Sequence, residues 1–237
     1  MTTATVPAPP TTPATGLTAG STDDLRQALV RAAEALFVNR VISRTGHANL
    51  SARAVGEAML LTVEGHVRDL AADGLALVGF DGEVIEGALD PANAEIVAMH
   101  TEVYRSRPEV GGIIHTHSPN LLVFALANRA LPSRYEALLR FGQVVDVPVV
   151  PWAPRGSERS VGGIVDALAA WPETRAVLLG NHGVLVFGDS PAQAVQILTV
   201  LEEAAEAELA AWALGGAVDF PAGAFEQVRA SMARVAS

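Results

Sequence analysis

The chain has 237 residues, of which half are hydrophobic and 18% are charged, and its formal net charge is −10. This length predicts one domain with a sizeable core. Nucleic acid is not expected as a partner, because binding to phosphates requires a basic face and no cluster of Lys and Arg is present. The absence of cysteine excludes disulfides and thiolate metal sites, which leaves histidine and carboxylate as the strong metal ligands.

The N-terminal segment has neither the basic region nor the apolar region of a secretory signal. No uninterrupted apolar run approaches the length of a membrane span. We therefore expect a cytoplasmic protein with no membrane partner.

Residues 1–21 are mainly Thr, Pro, Ala and Gly, a composition that predicts a disordered tail. A single domain is expected over residues 22–237. Ser21 or Thr22 is expected to cap a helix, since apolar residues then recur at helical spacing. Three short apolar runs predict strands, and Asp81-Gly82 predicts a hairpin between the last two. The runs are 59–62, 75–80 and 83–87.

The rest of the chain predicts a helix, a strand, a helix, an extended edge segment, two strands and a long helix. The edge segment is inferred from prolines, which cannot donate to a sheet ladder, and the last helix from a Ser-Pro start and a Gly-Gly stop. In that order the predicted ranges are 91–107 (helix), 111–117 (strand), 121–130 (helix), 144–152 (edge segment), two runs within 175–188 (strands) and 191–214 (long helix). This order predicts one α/β domain with a mixed or antiparallel sheet covered by helices.

His115 and His117 lie two residues apart in the predicted strand GGIIHTH. Side chains alternate between the faces of a strand, so both imidazoles project from the same side. Two imidazoles at this spacing can meet at one metal ion, although a hydrogen-bonded polar face would give the same pattern.

His182 lies between Asn181 and Gly183, at the tip of an otherwise apolar hairpin. An imidazole buried there would need a partner, and the flanking glycines permit a close approach of the backbone. A third metal ligand satisfies this pattern, as does a solvated turn histidine.

The motifs IIHTHSPN and LLGNHGVLVFG, about 65 residues apart, resemble those of the class II aldolase/adducin family. The segments TGHANLSAR, EVYRSRPEVGGIIHTH, RYEALLRFG and VPVVPWAPRGS are similar to further parts of that family, so that the resemblance covers residues 24 to 213. It implies a three-layer α/β/α fold with a central, mainly antiparallel sheet.

The resemblance also implies one divalent ion per subunit on His115, His117 and His182, with Zn2+ expected first and Fe2+ or Mn2+ as alternatives. Three protein ligands leave a coordination position open for a small-molecule substrate. A homotetramer with sites near the subunit interfaces is expected on the same grounds.

In the aldolases of this family a glutamate upstream of the histidine pair moves the proton, and Glu95 is the matching carboxylate here. A carboxylate at the start of a helix is also favoured by the helix dipole. The family usually places a histidine four residues after this glutamate, whereas His100 lies five after Glu95. Tyr135 matches a tyrosine near the aldolase site and is the second catalytic candidate.

The residues that hold phosphate in the sugar-phosphate aldolases are largely replaced. The stretch 91–94 contains no serine, and Glu64 stands in the second phosphate loop, where it would repel a dianion. Asn49 and Gly65 survive, and His47 enters the first loop, so these three are the candidates for substrate binding. Arg44, Arg134 and Arg140 are candidates for binding a carboxylate.

These features predict a metal-dependent lyase that cleaves or forms a carbon–carbon bond in a small, non-phosphorylated hydroxy-keto or oxo acid. One alternative is a non-haem Fe(II) oxygenase, since some actinobacterial members of the family resemble enzymes that oxidatively shorten aryl-pyruvates. A non-catalytic, adducin-like interaction module is the other alternative, and the retention of all three histidines argues against it.

Overall fold

A computed structural model describes residues 21–235. Ser21 is the N-cap of the first helix, where its side chain accepts a hydrogen bond from the Asp24 backbone and Asp24 accepts one from the Ser21 backbone. The remainder of the predicted tail, residues 1–20, lies outside the described residues.

Seven α-helices and eight strands occur in the described part of the chain. The helices are α1 (Thr22–Val38), α2 (Pro91–Ser106), α3 (Pro119–Ala127), α4 (Glu136–Arg140), α5 (Glu158–Ala170), α6 (Pro191–Ala211) and α7 (Ala224–Val235). The strands are β1 (Ala48–Ala54), β2 (Ala58–Thr62), β3 (Leu75–Gly79), β4 (Val84–Glu86), β5 (Gly112–Thr116), β6 (Val149–Val150), β7 (Ala176–Leu179) and β8 (Gly183–Gly188).

The strands form one sheet in the order β4-β3-β2-β1-β5-β8-β7-β6. Every neighbouring pair is antiparallel except β6 and β7, which run parallel at one edge. The α/β fold with a mainly antiparallel sheet, and the predicted hairpin at Asp81-Gly82, are therefore confirmed. No helix among the described residues is long and apolar enough to cross a bilayer.

Helices cover both faces of the sheet, which produces three layers. On one face α1, α3 and α6 bury even-numbered strand residues such as Leu50, Ile114 and Val186. On the other face α2 and α5 bury odd-numbered residues such as Met59 and Ile113. This alternation follows from the two-residue period of a strand, and it assigns His115 to the face that α2 covers.

Four elements were not predicted from the sequence, and one of them is the short helix α4 (Glu136–Arg140). Residues 48–54, interpreted only as part of a motif, form the central strand β1. Helix α5 contains Gly162 and Gly163, which weaken a helical pattern. A Cβ at Gly163 would lie 2.7 Å from the Val150 side chain, so glycine allows α5 to pack closely on β6. The last of these elements, α7, follows the predicted stop at Gly215.

Candidate metal centre

His115 lies in the middle of the sheet, where β5 pairs with β1 and β8. Its register partners are Asn49 and Leu185, and its side chain is buried. Nδ1 lies 3.0 Å from the Val184 carbonyl oxygen. Because a carbonyl can only accept, Nδ1 carries the proton, and Nε2 presents a lone pair. Nε2 has no hydrogen-bond partner among the described residues, and this arrangement is typical of a metal-ligating histidine.

His117 follows the end of β5, and its ring centroid lies 5.3 Å from that of His115. Its Nε2 is also buried without a partner among the described residues. His182 lies in the turn between β7 and β8, where Asn181 has a φ of +55°. Its ring centroid is 4.7 Å from that of His115 and 5.1 Å from that of His117. Imidazole nitrogens about 2.1 Å from one shared ion place ring centroids about 5 Å apart, so the three rings fit a common centre.

His47 is a fourth histidine at the same place. Its ring stacks on that of His117 with centroids 5.0 Å apart, and the ligand nitrogens of His47, His115 and His117 lie within 4.8 Å of one another. The distances between ligand nitrogens therefore group His47 with His115 and His117. The distances between ring centroids group His182 with the same pair. The His47 and His115 centroids are 6.5 Å apart, so His115, His117 and His182 form the more compact ring triangle, and His47 and His182 are both candidates for the third ligand.

The histidine cluster is electrically neutral at neutral pH. Burial, followed by the charges of His182 and His117, lowers the pKa of His115 well below its ordinary value. Burial, His182, His47 and Arg155 lower the pKa of His117 to about 4. Burial is also the first cause that lowers the pKa values of His47 and His182. Neutral imidazoles are the form that binds a metal ion, so the cluster could hold one without first losing protons.

The predicted substrate-binding residues lie beside this cluster. Asn49 is buried, its Nδ2 lies 3.4 Å from Asn93 Oδ1, and its own Oδ1 has no partner among the described residues. Gly65 lies under the His47 ring, because a Cβ there would be 2.6 Å from His47 Cε1. His66 forms an isolated β-bridge with His47 and is exposed.

Glu95 lies in the first turns of α2 and is half exposed. One of its carboxylate oxygens accepts a hydrogen bond of 2.8 Å from Arg155 Nε. Arg155 is near the histidines as well, because its charge contributes to the lowered pKa values of His47, His117 and His182. Arg155 lies in the family-like segment VPVVPWAPRGS, but it was not predicted as a site residue, because its partner Glu95 is 60 residues away.

The other predicted residues are not brought to the cluster within this chain. Tyr135 precedes α4, is 41% exposed and makes no ring contact with the histidines. Arg134 is paired with Glu208 and Asp219, and Arg140 is paired with Glu136; these intrachain ion pairs occupy two of the three arginines considered as carboxylate binders.

The sequence model of the Class II Aldolase and Adducin N-terminal domain matches residues 27–209. The chain belongs to the class II aldolase and adducin family. His115 in β5, His117 directly after it, His182 in the hairpin and the whole sheet lie within the matched range.

Two similar family members have names that state an activity. The 5-methylthioribulose-1-phosphate/5-deoxyribulose-1-phosphate aldolase of Rhodospirillum rubrum is 30% identical over 189 residues, which are 79% of this chain and 81% of that protein. The methylthioribulose-1-phosphate dehydratase of Pseudomonas savastanoi pv. phaseolicola is 30% identical over 198 residues, which are 80% of this chain and 96% of that protein.

Solved structures of the family share the fold. An L-fuculose 1-phosphate aldolase superposes with a TM-score of 0.78 at 24% identity, covering 92% of this chain and 99% of that one. The L-fuculose-1-phosphate aldolase of Thermus thermophilus superposes with a TM-score of 0.68 at 25% identity, covering 84% of this chain and all of that one.

One departure from the family pattern has a structural consequence. The position four residues before His100 is Ile96, which is buried, whereas Glu95 is half exposed. One residue along a helix turns the side chain by about 100°. The Glu95 side chain therefore points away from α2 in a different direction from a glutamate at position 96, the usual family spacing. It contacts Arg155.

Proposed function

We propose that this protein is a metal-dependent lyase that makes or breaks a carbon–carbon bond in a small hydroxy-keto or oxo acid without a phosphate group. The observation that carries the proposal is the cluster of His115, His117 and His182, whose ring centroids lie 4.7–5.3 Å apart. Two of these rings have buried Nε2 atoms without a partner among the described residues, and such atoms are costly to bury unless a ligand binds them.

The three histidines would hold one divalent cation, with Zn2+ as the first candidate and Fe2+ or Mn2+ compatible with the same donors. When bound, such an ion supplies a Lewis acid for a carbonyl or enolate oxygen. Glu95 is the proposed proton carrier, and Tyr135 would reach the substrate from a neighbouring subunit of a homotetramer. Asn49, Gly65 and His47 would contact the substrate.

A substrate without phosphate distinguishes this proposal from the two named relatives, both of which have phosphorylated substrates in their names. The support comes from the region around Gly65. The His47 ring lies over Gly65, and Glu64 beside it is exposed. A ring in contact with the glycine leaves less room for an anion, and the carboxylate of Glu64 would repel a phosphate dianion.

A non-haem Fe(II) oxygenase acting on an aryl-2-oxo acid is the second candidate. The observation that favours it is the ion pair between Glu95 and Arg155, together with the buried Ile96 at the usual position of the family glutamate. Oxidative shortening of an oxo acid would not require Glu95 as a base, and nitrogen ligands with open positions suit Fe(II).

Metal analysis of purified variants tests the proposed centre. We expect about one divalent ion per chain in the wild type and a loss of roughly tenfold or more in metal affinity for His115→Ala, His117→Ala and His182→Ala. His66→Ala is the matched control, because His66 is an exposed histidine next to the site. Full metal content in His182→Ala together with its loss in His47→Ala would contradict the assigned triad.

Product analysis with and without O2 then tests the reaction. The lyase is expected to split an oxo acid anaerobically, with two carbon fragments recovered. Strict dependence on O2 and iron would instead support the oxygenase. Loss of water without carbon–carbon cleavage, as in the name of the dehydratase relative, would contradict both.

A further inference from the structure

Arg155 is held at the edge of the histidine cluster by contacts on one side. It lies in the loop between β6 and α5, where Nε donates to Glu95 at 2.8 Å and Nη2 donates to the Ala92 carbonyl at 3.0 Å. Both partners belong to the first turns of α2. These hydrogen bonds fix the direction of the guanidinium, and the described residues provide no acceptor for the N–H groups of Nη1.

The same loop runs beside the hairpin that carries His182. Gly180 donates a backbone hydrogen bond of 2.8 Å to Val150, and a Cβ at Gly180 would lie 3.1 Å from the Trp152 nitrogen. Arg155, three residues beyond Trp152, therefore lies between the hairpin and α2. Pro151, Trp152 and Ala153, which precede it in the same loop, line one small cavity together with His182.

A guanidinium at this place has a consequence for the ligand of the metal centre. Glu95 neutralises Arg155, but a divalent ion on the histidines would place a second cation near it, and like charges repel. An anionic ligand between the ion and Arg155 would offset this repulsion. A 2-oxo acid meets this requirement, because its carboxylate is adjacent to the carbonyl oxygen that a metal ion polarises.

A carboxylate fits this place better than a phosphate. The family's phosphate loops correspond to the region around Gly65, where Glu64 is exposed and His47 covers the glycine. Arg155 lies on the α2 and β6 side of the cluster. The planar fork of an arginine also matches the geometry of a carboxylate.

We propose that Arg155 binds the carboxylate of the substrate beside the histidine cluster and thereby selects 2-oxo acids over neutral carbonyl compounds. This inference rests on the proposed metal centre and specifies the substrate class of that site. It assigns to Glu95 a second role as the positioning residue of Arg155 in the unliganded protein.

Calorimetric titration of the zinc-loaded protein with pyruvate and with pyruvamide tests the inference, since the two probes differ in the carboxylate. We expect the wild type to bind pyruvate at least roughly tenfold more tightly than pyruvamide, as for a charge-assisted hydrogen bond. Arg155→Met should lose this preference without change in pyruvamide affinity, and Arg155→Lys should recover part of it. Arg159→Met is the matched control, because Arg159 is an exposed arginine at the start of α5.

The outcomes separate the inference from the function on which it rests. Full zinc content with an unchanged preference in Arg155→Met would contradict the inference alone. So would an equal loss in Arg159→Met, or a loss of inorganic phosphate binding in Arg155→Met while pyruvate binding is retained. Failure of the wild type to hold zinc or another divalent ion would contradict the proposed function and the inference together.

Discussion

Gly156 lets the loop that carries Arg155 approach the first turns of α2. Its φ of +73° lies in the left-handed region, and a Cβ there would lie 2.8 Å from the Glu95 Cβ. Both features favour glycine. The approach brings Arg155 within hydrogen-bond distance of the Glu95 carboxylate and the Ala92 carbonyl.

Substitution of Gly156 by alanine is expected to lower the free energy of unfolding by about 1–3 kcal/mol, because the new side chain is strained and meets Glu95. Gly162 in α5 is the matched control, since a Cβ there meets no atom within 4 Å. Gly162→Ala should raise the free energy of unfolding by about 0.5–1 kcal/mol. Urea denaturation measures both changes, and equal effects at the two positions would contradict the assignment.

Single residues differ in how much of their role can be read from the sequence. His115 and His117 were candidates because the strand period places both imidazoles on one face, and His182 was added by the family resemblance. The arginines gave no such signal. Arg134 and Arg140 form ion pairs within the chain, and Arg155 reaches Glu95 only through a contact between residues 60 positions apart.

At the scale of elements, α2 packs on β1 through a buried polar row as well as apolar side chains. Ser51 Oγ lies 2.7 Å from His100 Nδ1 and 2.8 Å from the Tyr104 hydroxyl. Arg53 lies over the Tyr104 ring at 4.6 Å. Burial lowers the pKa of His100 to about 3 and raises that of Tyr104. The contact therefore depends on a neutral His100.

The stability of this contact should depend on pH with a definite sign. The pKa of His100 is about 3 when folded and 6.5 as the ordinary value, so the unfolded chain binds the proton first as the pH falls. The contribution of neutral His100 to the free energy of unfolding is complete at pH values above 6.5, the ordinary pKa. It is lost as the pH falls toward the folded pKa of about 3. At pH 5 the loss amounts to about 2 kcal/mol.

We expect His100→Asn to show a smaller fall in the free energy of unfolding between pH 7 and pH 5 than the wild type, because asparagine does not titrate. The control is Thr101→Val, which alters a neighbouring buried residue without removing a titratable group and should keep the wild-type slope. Urea unfolding at the two pH values measures the difference. Parallel slopes for wild type and His100→Asn would refute the explanation.

The elements themselves were predictable where the pattern was regular and long enough. Helices α1 and α6 begin at the caps expected from Ser21 and Ser190, and α2 begins at Pro91 as predicted. Strand β1 and helix α5 were missed because small and glycine residues dilute the apolar periodicity. Both elements are stabilised by packing on the rest of the domain, which a local pattern does not report.

At the scale of the whole molecule, one chain exposes several large apolar side chains. Trp152, Trp212 and Leu214 are 57%, 70% and 89% exposed. Trp152 is also close to the hairpin of His182. Exposed apolar groups of this size favour burial against another subunit, in agreement with the proposed homotetramer.

Light scattering after size exclusion should yield a mass four times that of one 24.6 kDa chain. The mass should stay constant over a tenfold dilution, which serves as the control for weak association. A monomeric mass at all concentrations would contradict the tetramer and would remove the route by which Tyr135 of a neighbouring subunit reaches the site.

The local sequence by itself determined the alternating strands, the caps of the long helices and the pair His115 and His117 on one face, since each depends on neighbours within a few residues. Family-specific motifs added His182 as the expected partner. Only the tertiary structure decided that His47 joins the cluster and that the Glu95 side chain leaves α2 toward Arg155. These contacts depend on how segments that are far apart in the sequence pack together. The number of residues between two positions does not determine how close they are in space.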